Sequence, residues 1–222
     1  MSIADGFVET PHGRVTCALD HRPDVPLLIC AHGAGGSYAD RTLVAVAGAL
    51  GAAGLAVLRF NFPYRERKSG RPDPISTLTQ AIAAVADAAR ADLHPPRIFL
   101  GGRSMGGRAA SMLAAEGGDC DGLILLAYPL HPPGQTSKLR DAHLPAIGVP
   151  VLCLNGTRDT FCERPLMDRV LERLGARWTM HWLEGADHSF RVLKSSGRTE
   201  GDVLDEVREA ARHWLGGIGI TH

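Results

Sequence analysis

The stretch GGRSMGGRAA, residues 101–110, sets one serine between two pairs of glycines. The apolar run RIFL precedes it, and the alanine-rich stretch GRAASMLAAE follows the serine. Glycine allows sharp turns and close backbone approach, so the stretch predicts a tight corner between a strand and a helix. Ser104 is therefore either a turn residue or a nucleophile. A nucleophile also needs a base, an acid that orients the base, and amide donors for an oxyanion.

The composition describes a chain of 222 residues without net charge, since 24 Lys and Arg balance 24 Asp and Glu. This length suits one domain over residues 1–222, and the charge balance predicts no nucleic-acid partner. The N-terminus lacks a basic segment followed by an apolar one, and no apolar run could span a bilayer, so we expect a soluble, cytoplasmic protein without a membrane partner. The five cysteines lack disulfide or metal spacing, and we expect no metal and no cofactor.

Short runs rich in Val, Ile and Leu alternate with longer, alanine-rich amphipathic stretches. This alternation is typical of βαβ units around a mostly parallel sheet, so the fold class is α/β. Before them, FVET and RVTCALD flank PHG as an antiparallel hairpin. The other expected strands are VPLLICA, LAVLRFN, RIFLGG, DGLILLAYPL, VPVLCLNG and RWTMHWLEG. The expected helices are TLVAVAGALGAAG, ISTLTQAIAAVADAARADL, GRAASMLAAE, RPLMDRVLERLG and DVLDEVREAARHWLG.

Two later strand ends carry the groups that a nucleophilic serine needs. Residues 102–106 fit G-x-S-x-G, the nucleophile elbow, which is completed by an acid and then a histidine at later strand ends. Asp159 follows VPVLCLNG, and His188 follows RWTMHWLEG. A turn aspartate and a solvated histidine would explain each residue taken singly. Their joint order and placement predict a triad of Ser104, Asp159 and His188.

Two other carboxylates compete with Asp159 for the histidine. Asp187 is the sequence neighbour of His188, and Glu184 lies at the end of the same strand. Adjacent side chains in an extended segment diverge, so Asp187 is poorly placed to accept from the imidazole, and Glu184 is disfavoured because it lies on the same strand. Asp159 comes from the adjacent strand end and is the predicted acid.

Amide donors for an oxyanion are expected at two places. The first is Met105, directly after the nucleophile, and the second is in the loop HGAGG that follows VPLLICA. Ala34 is the preferred donor there, with Gly33 as its neighbouring alternative. A phosphate cradle is the other interpretation of this loop. It is disfavoured because the P-loop Lys-Ser/Thr and the G-x-G-x-x-G spacing are both missing.

With AHGAGG, RFNFPYRE, GGRSMGG, NGTRD and EGADHSF in place, the chain resembles small α/β-hydrolases of the dienelactone-hydrolase-like branch over nearly its whole length. RFNFPY and YPLHPPG are similar to a capless group that includes bacterial proteins, a testis-expressed protein and a subunit of a histone acetyltransferase complex. The resemblance implies a three-layer αβα fold, with Ser104, Asp159 and His188 as the matching triad. Serine stands where dienelactone hydrolases use cysteine, which disfavours dienelactone as substrate. Group members that work in assemblies leave a second function open, an interaction module on a hydrolase fold.

The substrate is expected to bind in a shallow, open site. Residues 129–150, between LILLAY and VPVLCL, are too few for a helical cap. Residues here that could reach the rim are Tyr128, His131, Arg140, Asp141 and His143, although a solvated connection explains them equally well. Arg103, within the elbow, is the basic residue closest to the chemistry. We expect Arg103, Tyr128 and His131 to contact substrate.

A second basic stretch, RERKSGR at residues 65–71, follows the strand LAVLRFN with four basic residues against one acid. It could favour an anionic substrate or partner, but short charge runs are more often solvated loops.

The sequence as a whole predicts a serine hydrolase that acts on a small carboxylic ester or a related acyl compound. In this mechanism His188 deprotonates Ser104, an acyl-enzyme forms, and water releases the acid. A monomer or a homodimer is expected.

Overall fold

The computed structural model describes residues 3–20 and 22–220, which are built around one eight-stranded sheet. The strands are β1 (Phe7–Thr10), β2 (Gly13–Asp20), β3 (Leu27–Ala31), β4 (Ala56–Phe60), β5 (Ile98–Arg103), β6 (Gly122–Leu126), β7 (Val151–Gly156) and β8 (Trp178–Leu183). They lie in the order β1-β2-β4-β3-β5-β6-β7-β8. The pairs β1–β2 and β2–β4 are antiparallel, and the pairs from β4 to β8 are parallel. The predicted hairpin and mostly parallel sheet are confirmed.

Helices cover both faces of this sheet. They are α1 (Arg41–Ala52), α2 (Pro63–Glu66), α3 (Ile75–Leu93), α4 (Met105–Ala115), α5 (Arg164–Leu171) and α6 (Glu200–Gly217). Neighbouring side chains of a strand point to opposite faces, so Leu28 packs in the cluster with α1 and α6, while Leu27 and Ile29 pack in the cluster with α3 and α4. These two hydrophobic clusters make the fold a three-layer αβα sandwich. Within the described residues, no helix is both long and apolar enough to cross a membrane.

The structure differs from the sequence-based expectation at several element boundaries and in one additional helix. The strand expected to run through residue 130 ends at Leu126, because Ala127 adopts a φ of 50° and turns the chain out of the sheet. The short helix α2 was not predicted. It begins with Pro63, which already has the φ that a first helical turn requires.

The connection from β6 to β7 begins at the ends of the parallel strands. Residues 127–150, all of which the structure describes, contain one 3₁₀ turn, Leu144–Ala146, and no α-helix. The expectation that this connection holds no cap domain is confirmed.

The parallel strands bring the predicted chemistry to one edge of the sheet. Ala31 on β3 pairs with Gly102 on β5, and Gly156 on β7 pairs with Leu183 on β8. The residues that follow these strands begin the loops with Gly33, Ser104, Asp159 and His188. Such an edge is where ligands bind in open α/β sheets.

Candidate active site

Ser104 lies on a strained turn between β5 and α4. Its φ of 52° and ψ of −114° are unusual for a residue with a side chain. The backbone holds this conformation on both sides, because the Ser104 amide donates to Leu126 O over 2.8 Å and its carbonyl accepts from the Arg108 amide over 2.9 Å. The tight corner predicted from the glycine pattern is confirmed.

Two glycines allow the elbow to pack against the end of β3. A Cβ atom on Gly102 would lie 2.1 Å from the carbonyl oxygen of Ala31, and one on Gly106 would lie 2.5 Å from the same oxygen. Both distances are far below van der Waals contact. The pattern of glycines around Ser104 is thus required by backbone packing at this site.

A continuous hydrogen-bond chain joins Ser104, His188 and Asp159. Ser104 Oγ lies 2.9 Å from His188 Nε2, and His188 Nδ1 lies 2.8 Å from Asp159 Oδ2 and 2.9 Å from Oδ1. The Asp159 side chain is fully buried, whereas the His188 side chain is 18% exposed. An ionised carboxylate only accepts, so Nδ1 carries a proton, and in the neutral ring Nε2 is then free to accept the serine proton.

Asp159 is held by two further donors. Its Oδ1 accepts from the Phe161 amide over 2.8 Å, and its Oδ2 accepts from Asn155 Nδ2 over 3.2 Å. Asn155 is itself buried, and its Oδ1 accepts from the Tyr128 amide over 2.9 Å. Sequence reasoning missed Asn155, although a polar residue near the end of the apolar run VPVLCLNG was a usable signal.

The competing carboxylates have other partners. Asp187 Oδ1 accepts from the amides of Ser189 and Arg191, over 2.7 and 3.0 Å, and so closes the turn that carries His188. Glu184 accepts from Thr157 Oγ1 over 3.3 Å. Asp159 is the one of the three whose carboxylate is hydrogen-bonded to His188.

An aromatic ring fixes the plane of the histidine. Phe161 stacks on His188 with ring centroids 4.2 Å apart and an interplanar angle of 27°. The loop after β7 therefore supplies both the carboxylate and the ring that orient the imidazole. The sequence carried no signal for this contact, because an aromatic residue two positions after an aspartate has no characteristic meaning.

Arg103 reaches across to the histidine loop. Its Nη2 donates to His188 O over 3.1 Å and to Ser189 Oγ over 2.9 Å. Burial lowers the pKa of the guanidinium, and the nearby carboxylates of Asp40 and Asp159 oppose that shift. The structure thus gives Arg103 a role inside the site, and its predicted contact with substrate stays a prediction.

The loop after β3 forms a tight turn beside the elbow. Gly36 N donates to Gly33 O over 3.1 Å, and Gly35 has a φ of 75°, as a type II turn requires at this position. Ala34 is exposed on this turn, and Met105 is the first residue of α4. The assignment of their amides to an oxyanion stays a prediction.

His32 stabilises this turn through hydrogen bonds of its buried ring. The ring is fully buried, its Nδ1 lies 2.8 Å from Gly33 O, and its Nε2 accepts from the Phe62 amide over 3.1 Å. Burial lowers the His32 pKa to about 4, so the ring is neutral at pH 7, with Nδ1 donating. His32 therefore ties the loop after β3 to the loop after β4.

Tyr128 and His131 do not lie at the rim, contrary to the sequence-based expectation. Both are fully buried. The Tyr128 hydroxyl donates to Arg140 O over 2.6 Å, and His131 Nε2 accepts from the Glu163 amide over 3.2 Å. The turn at Ala127 directs the chain inward, so these polar atoms brace the connection between β6 and β7.

A second serine–histidine pair lies below the elbow. Ser111 Oγ is 2.8 Å from His143 Nε2, but Ser111 is fully buried within α4. Its hydroxyl donates to Arg108 O over 2.8 Å, so the imidazole is the donor in the pair. This pair is therefore structural and supplies no accessible nucleophile.

Other nucleophiles and metal ligands are poorly placed. All five cysteines are unpaired, and burial raises the thiol pKa of Cys17 to about 11 and of Cys30 to about 12, which suppresses their thiolates. In residues 3–20 and 22–220, no group of three His, Cys, Asp or Glu could hold a metal ion. The basic loop at residues 65–71 is largely exposed, and Arg67 there pairs with Asp73 over 2.5 Å.

Comparison with known structures shows the same fold in several hydrolases. XC6422 from Xanthomonas campestris, described as an α/β serine hydrolase without a lid, is 24% identical with a TM-score of 0.71, covering 94% of this chain and 93% of that chain. Est1E from Butyrivibrio proteoclasticus, solved with ferulic acid, is 19% identical with a TM-score of 0.76, covering 95% and 99%. A dienelactone hydrolase from Anabaena variabilis is 21% identical with a TM-score of 0.70, covering 95% of both chains.

These identities establish a common fold and leave the substrate open. The sequence itself gives the family, because the family model described as the alpha/beta hydrolase domain matches residues 24–216. The resemblance seen in the five motifs is thereby confirmed, while the narrower group with the testis-expressed protein stays a prediction. The chain belongs to the alpha/beta hydrolase domain family.

Proposed function

We propose that this protein is a serine hydrolase that cleaves small carboxylic esters or related acyl compounds through an acyl-enzyme on Ser104. The proposal depends on one observation, the hydrogen-bond chain from Ser104 Oγ through both nitrogens of His188 to the buried Asp159. Nucleophile, base and orienting acid lie within hydrogen-bond distance of one another. This arrangement is the one that acyl transfer by a serine requires.

In the first half-reaction Ser104 Oγ attacks the substrate carbonyl carbon while His188 Nε2 takes the hydroxyl proton. The C–O bond to the leaving group then breaks, and His188 returns the proton to the departing alcohol. Asp159 stabilises the imidazolium and keeps its proton on Nδ1 without taking it. In the second half-reaction water attacks the acyl-enzyme, His188 takes its proton, and the acid leaves as Ser104 regains its hydrogen.

The negative charge that develops on the carbonyl oxygen would be received by the amides of Met105 and Ala34. Met105 begins α4, so its amide lies at the positive end of that helix. Preformed donors of this kind cost no reorganisation during the reaction, and each contributes about 10²- to 10³-fold to kcat. The turn stabilised by His32 carries Ala34, the second proposed donor.

The substrate class follows from the open strand ends. The connection at residues 127–150 forms no helical wall above Ser104, so a small molecule with little apolar surface fits the site better than a long acyl chain. The chain's own residues fill every role in the mechanism, and no step in it calls for a cofactor.

A fluorophosphonate probe tests the proposal without knowledge of the substrate. It should label wild-type protein at Ser104, and Ser104→Ala should abolish labelling. Ser111→Ala is the matched control, because it removes the buried serine–histidine pair and should leave labelling intact. Labelling at another serine, or no labelling of folded protein, would contradict the mechanism and favour the interaction module instead.

A further inference from the structure

Arg108 lies on the first turn of α4, four residues after Ser104. Its amide donates to Ser104 O over 2.9 Å, so its backbone is one helical turn, about 5.4 Å, from the elbow. Helical side chains lean toward the N-terminus of their helix, and here that end carries Ser104. Arg108 is half-buried at this end of α4.

Two further basic groups come from the connection between β6 and β7. His143 is hydrogen-bonded to Ser111, which lies three residues after Arg108 and on the same face of α4. Arg140 is held in the same connection, where its carbonyl accepts from Tyr128 and its Nη1 donates to Pro129 O over 3.4 Å. Burial, and after it the charge of Arg108, lowers the pKa of both Arg140 and His143, as expected for basic groups that face one another.

In the described residues the two guanidinium groups of this cluster lack a counterion, although the charge of Asp141 opposes the lowering of the His143 pKa. The neighbouring acid, Asp141, pairs with Arg173 over 2.5 Å. In the part of the chain that the structure describes, neither Arg108 nor Arg140 belongs to an ion pair, and Arg108 Nε is buried without a hydrogen-bond partner. A buried donor without an acceptor is unfavourable, and a bound anion would satisfy it.

We propose that Arg108 and Arg140 form an anion subsite about one helical turn from Ser104 that binds a phosphate monoester group of the substrate. Two guanidinium groups that belong to no ion pair in the described residues match the charge of a phosphate monoester, which is about −1.5 to −2 at pH 7. Arginine binds phosphate oxygens in a planar, bidentate manner. The subsite rests on the proposed function, since it selects among acyl compounds that Ser104 would cleave. The preferred substrate is then a small ester that carries a phosphate.

Binding is tested first, by isothermal titration calorimetry of the wild-type protein with phenyl phosphate and with phenol. Phenyl phosphate should bind saturably at one site, and phenol should not. Arg108→Gln and, independently, Arg140→Gln should weaken phenyl phosphate binding by about tenfold or more, the effect of losing a charge-assisted hydrogen bond. Lys138→Gln removes one charge from an exposed position in the same connection and should leave the affinity unchanged.

Activity is tested by comparing 3-(phosphooxy)propyl butyrate with propyl butyrate, following the release of butyrate. The ratio of their kcat/KM values should favour the phosphorylated ester and fall by about tenfold or more in either arginine variant. Circular dichroism shows whether each variant is folded. Because two arginine variants are made independently, the test remains valid if one of them does not fold.

The outcomes separate the two proposals. Saturable, Arg108-dependent binding of phenyl phosphate with neither ester cleaved would support the subsite and contradict the proposed hydrolase. Cleavage of both esters at equal kcat/KM, with no arginine-dependent binding, would overturn the subsite and leave the hydrolase standing. Equal weakening by Lys138→Gln would also overturn it, because the effect would then come from net charge.

Discussion

Arg103 Nη2 donates a hydrogen bond to the backbone carbonyl of His188 over 3.1 Å. Arg103 directly precedes Ser104, so a single side chain links the loop of the proposed nucleophile to the loop of the proposed base. A second bond from the same nitrogen to Ser189 Oγ fixes the direction of this link. The separation of Ser104 and His188 therefore depends on a residue that makes no bond to either reacting side chain.

Replacement of Arg103 should lower kcat more than it changes KM. We expect Arg103→Met to reduce kcat by about 10- to 100-fold, because a displacement of the base by about 1 Å costs up to about 10² in rate. Arg103→Lys keeps the charge but loses the planar fork, and should recover part of the loss. Steady-state kinetics with 4-nitrophenyl acetate measures both constants. A raised KM with unchanged kcat would instead assign Arg103 to substrate binding, as the sequence suggested.

The buried His32 should make the protein less stable in acid. Its folded-state pKa of about 4 lies below the ordinary value of 6.5, so between these values the unfolded chain binds a proton that the folded chain does not. Stability contributed by neutral His32 is full above pH 6.5 and falls as pH drops, with a loss of about 3 kcal/mol by pH 4. Urea unfolding across this pH range gives the free energy of unfolding directly.

His32→Gln is the informative variant for this effect, because glutamine does not titrate. The variant should be less stable at pH 7, since the ring's packing and hydrogen bonds are lost, but its stability should fall less steeply from pH 6.5 to pH 4. Other groups titrate in both proteins and cancel in the difference. Parallel pH profiles for wild type and variant would show that His32 does not carry the effect.

Short acyl chains should be preferred over long ones. The connection at residues 127–150 builds no helical wall, so an extended chain would remain in water and gain little from burial. We expect kcat/KM to be higher for 4-nitrophenyl acetate and butyrate than for the dodecanoate. A higher value for the dodecanoate, measured below its micellar concentration, would reveal an apolar channel that the open strand ends do not suggest.

Sequence patterns located Ser104, Asp159 and His188 because each follows a strand with a strong apolar signature, and parallel strands end at the same edge. To predict where these three side chains lie, only the order of the elements and one motif were needed. The same logic found the loop with Ala34. For these residues, local sequence and sheet topology determine the position together.

Other features depend on packing between distant segments and have no local signature. Arg103 contacts residues 85 and 86 positions away, and Phe161 meets His188 across two loops. Tyr128 and His131 were expected at the rim because they follow a strand end, yet the positive φ of Ala127 directs them into the core. A polar side chain at a strand end can serve the substrate or brace the loop, and only its partners distinguish the two.

The carboxylate of Asp159 is the group that we expect to orient His188 during catalysis. Asp159 accepts from two donors besides the imidazole, the Phe161 amide on Oδ1 and Asn155 Nδ2 on Oδ2. In Asp159→Asn the new amide nitrogen must face one of these donors or His188 Nδ1. If the amide nitrogen faces the imidazole, His188 Nδ1 has to accept a hydrogen bond, and the ring proton moves from Nδ1 to Nε2. A protonated Nε2 can no longer accept the Ser104 proton.

Asp159→Asn should therefore remain folded and lose kcat by several orders of magnitude, about 10⁴-fold for the equivalent change in a serine protease. Asp187→Asn is the control, because Asp187 Oδ1 closes the turn through two amides and an asparagine oxygen can replace it. Ester hydrolysis and circular dichroism on both variants test the assignment. Survival of activity in Asp159→Asn within about tenfold, which is about 1.4 kcal/mol of barrier, together with its loss in Asp187→Asn or Glu184→Gln, would place the acid elsewhere.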